Sequence, residues 1–396
     1  MTGDAVYVVT DPGVPAFGSK GCSVHVQEVL RELAGRYRTV HLVTGRPGGP
    51  APAGLGRVVV HPLSCPTGDD LAAREAAQRA TDCVAAHRVA ALCATGDVEL
   101  VYQRYALWSA APMEAATAAG ARTVLEINAP LVEEQARHRG LTAPQDALAH
   151  TRRALAAAEA PFGVTGPVAR WAAALDPHGR DVPVIPNGVD VERFRPPGRT
   201  RPDDTGTDRV AEPADCTVAF AGTFRPWHGT GLLVDALALA RALGAPLRLL
   251  LIGDGPELAA TLDRARAAGV PVRATGRVRP DEVPALLHRA DAAAAPYPAG
   301  EHYFSPLKVA EYLAAGLPTV ASAIADLPTL VRDGEEALLV EPGDLIGTAT
   351  ALHRLGTDPA LRARLAAAGL RAARDRMSWR ATVDATLALL PGGRAA

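Results

Sequence analysis

The chain has 396 residues, 48% of them hydrophobic, which is enough apolar material for two domain cores. Its formal net charge of −2 argues against a nucleic-acid partner, because such proteins present a basic surface. The sequence shows no signal peptide, no apolar run of about 18 residues and no zinc-ligand spacing among its cysteines, so we expect a cytoplasmic protein without a metal.

Strands and helices alternate along the first half of the sequence. This alternation predicts a parallel sheet covered by helices on both faces. The predicted strands lie at 5–10, 39–44, 57–61, 100–103, 122–126, 161–165 and 182–186, and the predicted helices at about 23–33, 70–88 and 146–159.

A second alternating half follows a segment rich in Pro, Gly, Asp and Arg. Its predicted strands lie at 217–222, 247–252, 272–275, 291–296, 318–322 and 337–340. Predicted helices lie at about 230–243, 281–289 and 306–315, a further helix is predicted between the second and third of these strands, and the end at 345–391 is helical. We therefore predict two tandem doubly wound Rossmann-like α/β domains facing a central cleft. The predicted boundaries are 1–192 (joined by the C-terminal helix at about 378–391), a linker at 193–215, and 216–377.

The stretch FSPLKVAEYLAAGLPTVAS, residues 304–322, contains a helix with clear start and stop signals. Ser305 is a good N-cap, Pro306 suits the first helical position, and Gly316 suits the position after the helix. Lys308 then lies in the first turn, where the unfavourable interaction of a cation with the helix dipole costs about 0.3–1 kcal/mol of helix stability. Only Lys20 and Lys308 are lysines among the 41 basic residues. We therefore expect an anion, above all a phosphate, beside Lys308.

Six stretches together resemble the family 4 retaining glycosyltransferases, which have the GT-B fold. Residues 304–322 resemble the donor-binding motif, and 222–229 resemble the phosphate-binding loop. Further matches are 18–21, which resembles the N-terminal glycine loop, 185–190, 253–256 and 276–278. Each motif alone is weak, but their order on two α/β halves is specific.

The match to the donor-binding motif has one gap. The family motif is E-x7-E, and its second glutamate matches Glu311, to which the resemblance assigns the ribose hydroxyls. The first glutamate falls on Tyr303. Glu301 is near but out of register, so which of these two residues replaces it stays open.

The phosphate-binding loop also departs from the family pattern. The family's arginine and lysine positions hold Thr223 and His228, with Arg225 between them. The positive charge that balances the phosphates is then expected to come from Arg225, Lys308 and, as a further candidate, His228.

The resemblance implies a nucleoside-diphosphate sugar of UDP or GDP type as co-substrate, and no other cofactor. It also implies retention of the anomeric configuration, with the departing phosphate taking the proton of the acceptor. No D-x-D sequence occurs, which favours metal-independent transfer. The predicted donor-binding residues are Gly18, Lys20, Gly21, Gly222, Thr223, Arg225, His228, Gly253, Arg277, Val278, Tyr303, Phe304, Ser305, Pro306, Leu307, Lys308 and Glu311.

Polar residues at the ends of predicted strands in the first half suggest an acceptor site. Predicted acceptor-binding residues are Gln103, Arg104, Tyr105, Glu126 and Asn128, and the predicted catalytic groups are Glu126 and His25 together with Arg225 and Lys308. The first half has no basic amphipathic helix, so a small soluble acceptor is favoured over a membrane lipid. The acceptor nucleophile (oxygen, nitrogen or sulfur) and the oligomeric state stay open.

Two other functions fit the same architecture. A non-hydrolysing sugar-nucleotide epimerase would turn over its nucleotide-sugar without an acceptor. A non-catalytic nucleotide-sugar-binding protein would release no nucleoside diphosphate. A nicotinamide-dependent oxidoreductase is disfavoured, because no G-x-G-x-x-G follows the first predicted strand.

Overall fold

The computed structural model describes residues 3–64, 66–197, 215–300, 305 and 307–392. The chain divides into two compact units. Unit 1 contains the described residues up to 187, Ser305 and those from 379 onward. Unit 2 contains the described residues of 188–300 and 307–378.

Each unit contains one six-stranded parallel sheet among its described residues. Valine, leucine, isoleucine and alanine fill these strands, as expected for sheets buried on both faces. In unit 1 the strands are β1 (Asp4–Val9), β2 (Val40–Thr44), β3 (Val59–Pro62), β4 (Val98–Arg104), β5 (Arg122–Ile127) and β6 (Ala160–Gly163). In unit 2 they are β7 (Cys216–Ala221), β8 (Leu247–Ile252), β9 (Val272–Ala274), β10 (Ala292–Ala295), β11 (Thr319–Ser322) and β12 (Leu338–Val340).

Helices connect the strands and cover the sheets. In the first half of the chain they are α1 (Gly21–Ala34), α2 (Leu71–Cys93), α3 (Ala111–Ala118), α4 (Leu131–His138), α5 (Pro144–Ala157) and α6 (Gly166–Leu175). The later helices are α7 (Thr230–Ala242), α8 (Leu258–Ala267), α9 (Val283–Leu287), α10 (Leu307–Ala314), α11 (Leu327–Leu330), α12 (Leu345–Thr357), α13 (Pro359–Arg376) and α14 (Trp379–Ala388). The last helix, α14, packs on α1 within unit 1.

Both sheets have the same doubly wound strand order. It runs β3-β2-β1-β4-β5-β6 in unit 1 and β12-β11-β10-β7-β8-β9 in unit 2. All strands are parallel, but the order in which the chain adds strands to the sheet reverses between β1 and β4 and between β7 and β10. We call these two places the reversal points. Ligands of such sheets bind at the carboxyl ends of the strands near these reversal points. The predicted pair of Rossmann-like folds is thus confirmed, and the topology indicates where each unit holds a ligand.

One predicted strand is absent from the described part of the chain. Residues 182–186 form only an isolated bridge, in which the Gly163 N–H donates to Pro183 O and the Ile185 N–H donates to Gly163 O, both at 3.0 Å. Prolines at 183 and 186 remove two backbone donors, so the segment cannot form a regular ladder.

Four helices were not predicted from the sequence. Helices α3, α4, α6 and α11 have 8, 8, 10 and 4 residues, and segments this short carry too few turns for a clear apolar period.

Within the described residues, no helix combines the length and the apolar character needed to cross a bilayer.

Candidate functional site

Helix α10 carries Lys308 in its first turn, as the sequence predicts. The helix ends in a Schellman motif, in which the Gly316 N–H donates to Leu313 O and the Leu317 N–H donates to Tyr312 O, both at 2.9 Å. Gly316 has a φ of +69°, which a residue with a side chain adopts only with strain. The predicted stop at Gly316 is therefore confirmed.

Tyr312 attaches α10 to the central strand β7. Its buried hydroxyl accepts a hydrogen bond from the Ala221 N–H at 2.8 Å and donates to Ala221 O at 3.4 Å. This contact fixes the start of α10 next to the carboxyl end of β7, at the reversal point of the unit 2 sheet.

The ammonium group of Lys308 lies against two aromatic rings. Nζ is 4.9 Å from the ring centroid of Phe220 on β7 and 5.1 Å from that of Tyr297, which follows β10. No carboxylate among the described residues forms an ion pair with it. Burial lowers the pKa of Lys308 to about 7, although Glu311 opposes this shift. A desolvated ammonium at a reversal point is a site that an anion would stabilise.

Glu311 lies one turn further along α10 and is half-buried. Burial raises the pKa of Glu311 to about 7, against the opposing charges of Arg193 and Lys308. No described residue donates a hydrogen bond to this carboxylate, so its oxygens are available to hydroxyl groups. The ribose role that the resemblance implies for Glu311 stays a prediction.

Arg193 was not predicted as a site residue, yet its charge acts on Glu311. Its guanidinium donates to Pro280 O and lies 5.4 Å from the ring centroid of Phe194. Both residues fall in the predicted linker at 193–215, and the side chain of Phe194 is buried. Only the tertiary structure reveals this neighbour of Glu311, because no local motif marks it.

We expect the affinity for a nucleoside diphosphate to fall as the pH rises above about 7. The free protein holds the Lys308 ammonium at a lowered pKa, and a bound anion raises that pKa again. Binding above pH 7 therefore takes up a proton, and affinity falls by up to tenfold per pH unit until the pKa of the complex is reached. Calorimetric titrations of the wild type and of Lys308→Met between pH 6 and 9 measure this pH dependence. The titration of the ligand affects both proteins equally, so it cancels in the difference between their affinities. Affinities that change with pH in the same way in both proteins would contradict the prediction.

The loop after β7, residues 222–229, makes a tight turn at the carboxyl end of the strand. Phe224 is buried and has a φ of +44°, an unusual conformation for a residue with a side chain. Thr223 and Arg225 are exposed, while His228 is half-buried. The Arg225 backbone N–H donates to Nδ1 of His228 at 3.3 Å. The predicted phosphate loop lies close enough to Lys308 for that charge to act on His228, and the exposed guanidinium of Arg225 lies 6.0 Å from the ring centroid of Trp227.

The glycine loop after β8 packs directly on the loop after β7. Gly253 has a φ of +114°, and a Cβ atom there would lie 2.1 Å from Gly222 O. Gly253 also forms a bridge with Gly276 after β9. Beyond Gly276, Arg277 is exposed and Val278 is half-buried. Three predicted donor segments thus meet at one edge of the unit 2 sheet.

Part of the predicted donor site lies outside the described residues. This concerns Tyr303, Phe304 and Pro306, and with them the choice between Glu301 and Tyr303. Ser305 and Leu307 are described and half-buried.

Glu126 is the centre of a buried polar cluster in unit 1. It lies on β5 and is 1% exposed. Its carboxylate accepts hydrogen bonds from the Tyr102 hydroxyl at 2.6 Å, from Arg104 Nη1 at 3.2 Å and from Asn128 Nδ2. His25 Nε2 lies 2.5 Å from Oε1. Four side chains thus surround this carboxylate, and the catalytic and acceptor-binding roles expected of Glu126 stay predictions.

The charge of Glu126 is stabilised by its neighbours. Burial alone would raise the pKa of Glu126, but His25, Arg104 and the Tyr102 hydroxyl lower it to about 2. The guanidinium of Arg104 is a permanent charge, so it keeps Glu126 ionised even where His25 is neutral. The carboxylate therefore persists across the physiological pH range.

His25 is buried in the first half of α1. Burial lowers the pKa of His25, while Glu126 and a hydrogen bond with Asn187 raise it. Nε2 and the Glu126 carboxylate are within ion-pair distance of each other. The ring of Trp379 on α14 lies edge-on to His25 at a centroid distance of 4.7 Å. Asn187 and Trp379 were not predicted, and both come from distant parts of the sequence.

The five predicted acceptor residues do not all lie together. Arg104 and Asn128 bind Glu126 and are half-buried, so they are the members of the cluster that reach solvent. Gln103, on the opposite face of β4, donates to Ser109 O at 3.0 Å. Tyr105 shares a buried 2.6 Å hydrogen bond with Thr151. Gln103 and Tyr105 thus hold neighbouring loops and helices in place.

The predicted N-terminal glycine loop precedes α1. Gly18 is half-buried, and Lys20 and Gly21 are exposed at the start of the helix. The buried side chain of Gln27 donates to Ala16 O at 3.1 Å and to Gly18 O at 2.9 Å. A glutamine that the sequence did not single out therefore fixes this loop on α1.

In the parts of the chain that the structure describes, no three His, Cys, Asp or Glu side chains come together as potential metal ligands.

Two family models match most of this chain in succession. Residues 19–193 match the model described as Glycosyltransferase Family 4, and residues 215–358 match Glycosyl transferases group 1. The two matches correspond to the two α/β halves.

Curated relatives resemble about half of this chain. A D-inositol 3-phosphate glycosyltransferase of Nocardioides sp. is 35% identical over 230 residues, which cover 54% of this chain and 49% of the relative. A phosphatidyl-myo-inositol mannosyltransferase of Mycobacterium leprae is 33% identical over 211 residues, covering 53% of each chain. The matched region thus spans about half the length of these relatives.

Solved structures resemble the whole chain in fold. Anabaena Alr3699/HepE in complex with UDP and glucose superposes with a TM-score of 0.68 at 18% identity, covering 98% of this chain and 99% of that one. WaaG, a glycosyltransferase involved in lipopolysaccharide biosynthesis, gives a TM-score of 0.64 at 15% identity over 98% of this chain and 100% of its own. At these identities the likeness shows the shared architecture.

Proposed function

Because this chain belongs to the family 4 glycosyltransferases of the GT-B fold, we propose that it transfers a sugar from a nucleoside-diphosphate sugar to a small-molecule acceptor. The observation that carries the proposal is the ammonium of Lys308. It is desolvated against Phe220 and Tyr297 and placed in the first turn of α10, beside the phosphate loop. A diphosphate supplies the negative charge that this position lacks.

In the proposed reaction the bond between the sugar and the diphosphate breaks, and negative charge develops on the leaving group. Lys308, Arg225 and the amides at the start of α10 stabilise that charge by fixed positive potential. The acceptor attacks from the same face, and an oxygen of the departing phosphate takes its proton. The anomeric configuration is thereby retained.

For the acceptor, we propose a small hydroxyl compound bound in unit 1 at Arg104 and Asn128. Support comes from the burial of Glu126, which holds these two side chains at the carboxyl ends of β4 and β5. The name of one relative points to D-inositol 3-phosphate as the acceptor of that protein, and the name of another points to phosphatidyl-myo-inositol, a lipid that carries an inositol phosphate head group. An inositol phosphate is therefore a sensible first acceptor to test, since Arg104 can bind an anionic group.

The proposal is tested in two steps. A thermal-shift panel of UDP, GDP, dTDP and ADP identifies the base, since a ligand that binds only the folded protein stabilises it by about 2.7 kcal/mol at a hundredfold excess over Kd. The matching nucleotide-sugar is then incubated with and without acceptors. Release of nucleoside diphosphate that requires an acceptor supports transfer. Turnover without an acceptor would indicate an epimerase, and binding without release under any acceptor would indicate a non-catalytic protein.

Transfer should survive a large excess of EDTA. The reason is that Lys308, Arg225 and the backbone amides of α10 stabilise the negative charge of the leaving group without a metal ion. Initial rates with and without EDTA measure this, after prior dialysis against the chelator. A loss that only Mg²⁺ or Mn²⁺ restores would mean that a metal ion stabilises the diphosphate instead.

A further inference from the structure

The phosphate loop replaces the lysine of the usual family pattern with His228, and the local geometry gives this histidine a defined chemical state. His228 ends a 3₁₀ turn, Pro226–His228, directly before α7. Its Nδ1 accepts the backbone N–H of Arg225 at 3.3 Å. When one nitrogen of a neutral imidazole accepts a hydrogen bond, the other carries the proton. The proton of His228 is therefore placed on Nε2.

The surroundings of His228 keep its ring neutral. The imidazole lies 5.6 Å from the ring centroid of Phe220, whose ring also contacts the Lys308 ammonium. The charged groups that act on it are Lys308 on α10 and Arg225 on its own turn, and both are cations. Burial, with these two charges, lowers the pKa of His228 to about 3. A lysine at this position would add a third cation to the same small region, at an electrostatic cost in the free protein.

We propose that His228 binds the diphosphate of the donor as a neutral hydrogen-bond donor through Nε2–H, in a tautomer fixed by the backbone amide of Arg225. This inference rests on the proposed function. It assigns two tasks to two residues. Lys308 supplies the charge that balances the diphosphate, and His228 supplies a directed hydrogen bond from a neutral ring.

Three variants separate this role from a structural one. His228→Gln keeps an N–H donor at a similar reach, whereas His228→Phe keeps a ring and removes both nitrogens. His353→Gln is the matched control, because His353 lies on α12 with Nε2 3.3 Å from Leu243 O. Each protein is titrated calorimetrically with the nucleoside diphosphate from the panel of UDP, GDP, dTDP and ADP that raises the melting temperature of the wild type most, and with the corresponding nucleoside.

We expect His228→Phe to lower nucleoside diphosphate affinity by roughly ten- to a hundredfold, the effect of losing a hydrogen bond to a charged group. Affinity for the nucleoside should change little, because the nucleoside has no phosphate. His228→Gln should recover most of the loss, and His353→Gln should match the wild type. Equal losses of nucleoside and diphosphate binding in His228→Phe would overturn the proposal, since they indicate a damaged loop.

The pH profile tests the neutral state directly. Between pH 5 and 7 the ratio of wild-type to His228→Gln affinity should stay constant, because no proton is gained at His228. A ratio that rises as the pH falls through about 6.5 would overturn the proposal, since it would show an imidazolium binding the phosphate. If none of UDP, GDP, dTDP and ADP binds the wild type, the proposed function fails and this inference fails with it. If the wild type binds and His228→Phe is unchanged, only the role of His228 is rejected.

Discussion

Replacing Lys308 with alanine should lower the affinity for nucleoside diphosphate by roughly ten- to a hundredfold. The variant loses a charge-assisted hydrogen bond to phosphate, worth on the order of 1.5–3 kcal/mol. Affinity for the bare nucleoside should barely change. The unliganded variant should be as stable as the wild type or slightly more stable, because the ammonium is desolvated and opposes the dipole of α10. Isothermal titration and thermal unfolding measure both effects.

Two further substitutions refine the result for Lys308. Lys308→Met keeps most of the stem that packs on Phe220 and Tyr297 while removing the charge, so it should resemble the alanine variant in binding. Lys308→Arg should recover only part of the affinity, because a planar fork replaces a compact ammonium in a tight site. Arg266→Ala, which removes an exposed cation on α8, serves as the control. Unchanged binding in Lys308→Ala would assign the anion site to the loop after β7, without Lys308.

Replacing Glu126 with glutamine should reduce transfer by about a hundredfold or more while leaving nucleoside diphosphate affinity nearly unchanged. The amide cannot accept the hydrogen bonds of Tyr102, Arg104 and Asn128 together, so Arg104 and Asn128 lose their positions. Small misplacements of positioning groups cost about that much in rate. The predicted donor residues on α10 and the loop after β7 belong to unit 2, whose core is separate, so diphosphate binding persists. Steady-state kinetics and calorimetry measure the two quantities.

The Glu126 test needs a control for general destabilisation. Glu126→Ala should cost roughly 3–5 kcal/mol of unfolding free energy, because it leaves Arg104 and His25 partly buried without their counter-charge. Glu75 is a matched buried carboxylate in unit 1, 2% exposed, that accepts the Thr142 N–H at 2.8 Å. Glu75→Gln should lower the melting temperature without a selective loss of transfer. A loss of diphosphate affinity in Glu126→Gln equal to its loss of turnover would place Glu126 in the donor site or in the fold.

Much of the fold follows from short-range patterns in the sequence. Runs such as Ala5-Val6-Tyr7-Val8-Val9 are buried strands on sequence grounds, because an uninterrupted apolar run suits a sheet covered on both faces. Helix α10 was predicted within one residue at each end, since the signals used, a serine expected as the cap and Gly316 after the last turn, are both short-range. The exception is the strand predicted at 182–186, which does not form a regular ladder. Its apolar pattern is typical of a strand, but its two prolines lack backbone N–H groups.

The sequence by itself determined the two α/β halves, the position of Lys308 in a first turn and the family resemblance, because each depends on residues within a few positions of one another. Only the tertiary structure decided what the polar residues contact. It buries Glu126 and gives its carboxylate hydrogen bonds from Tyr102, Arg104 and Asn128. It places Arg193 where its charge acts on Glu311. It also placed the proton of His228. These contacts depend on how strands and loops far apart in the chain pack together, and burial then sets which groups stay charged.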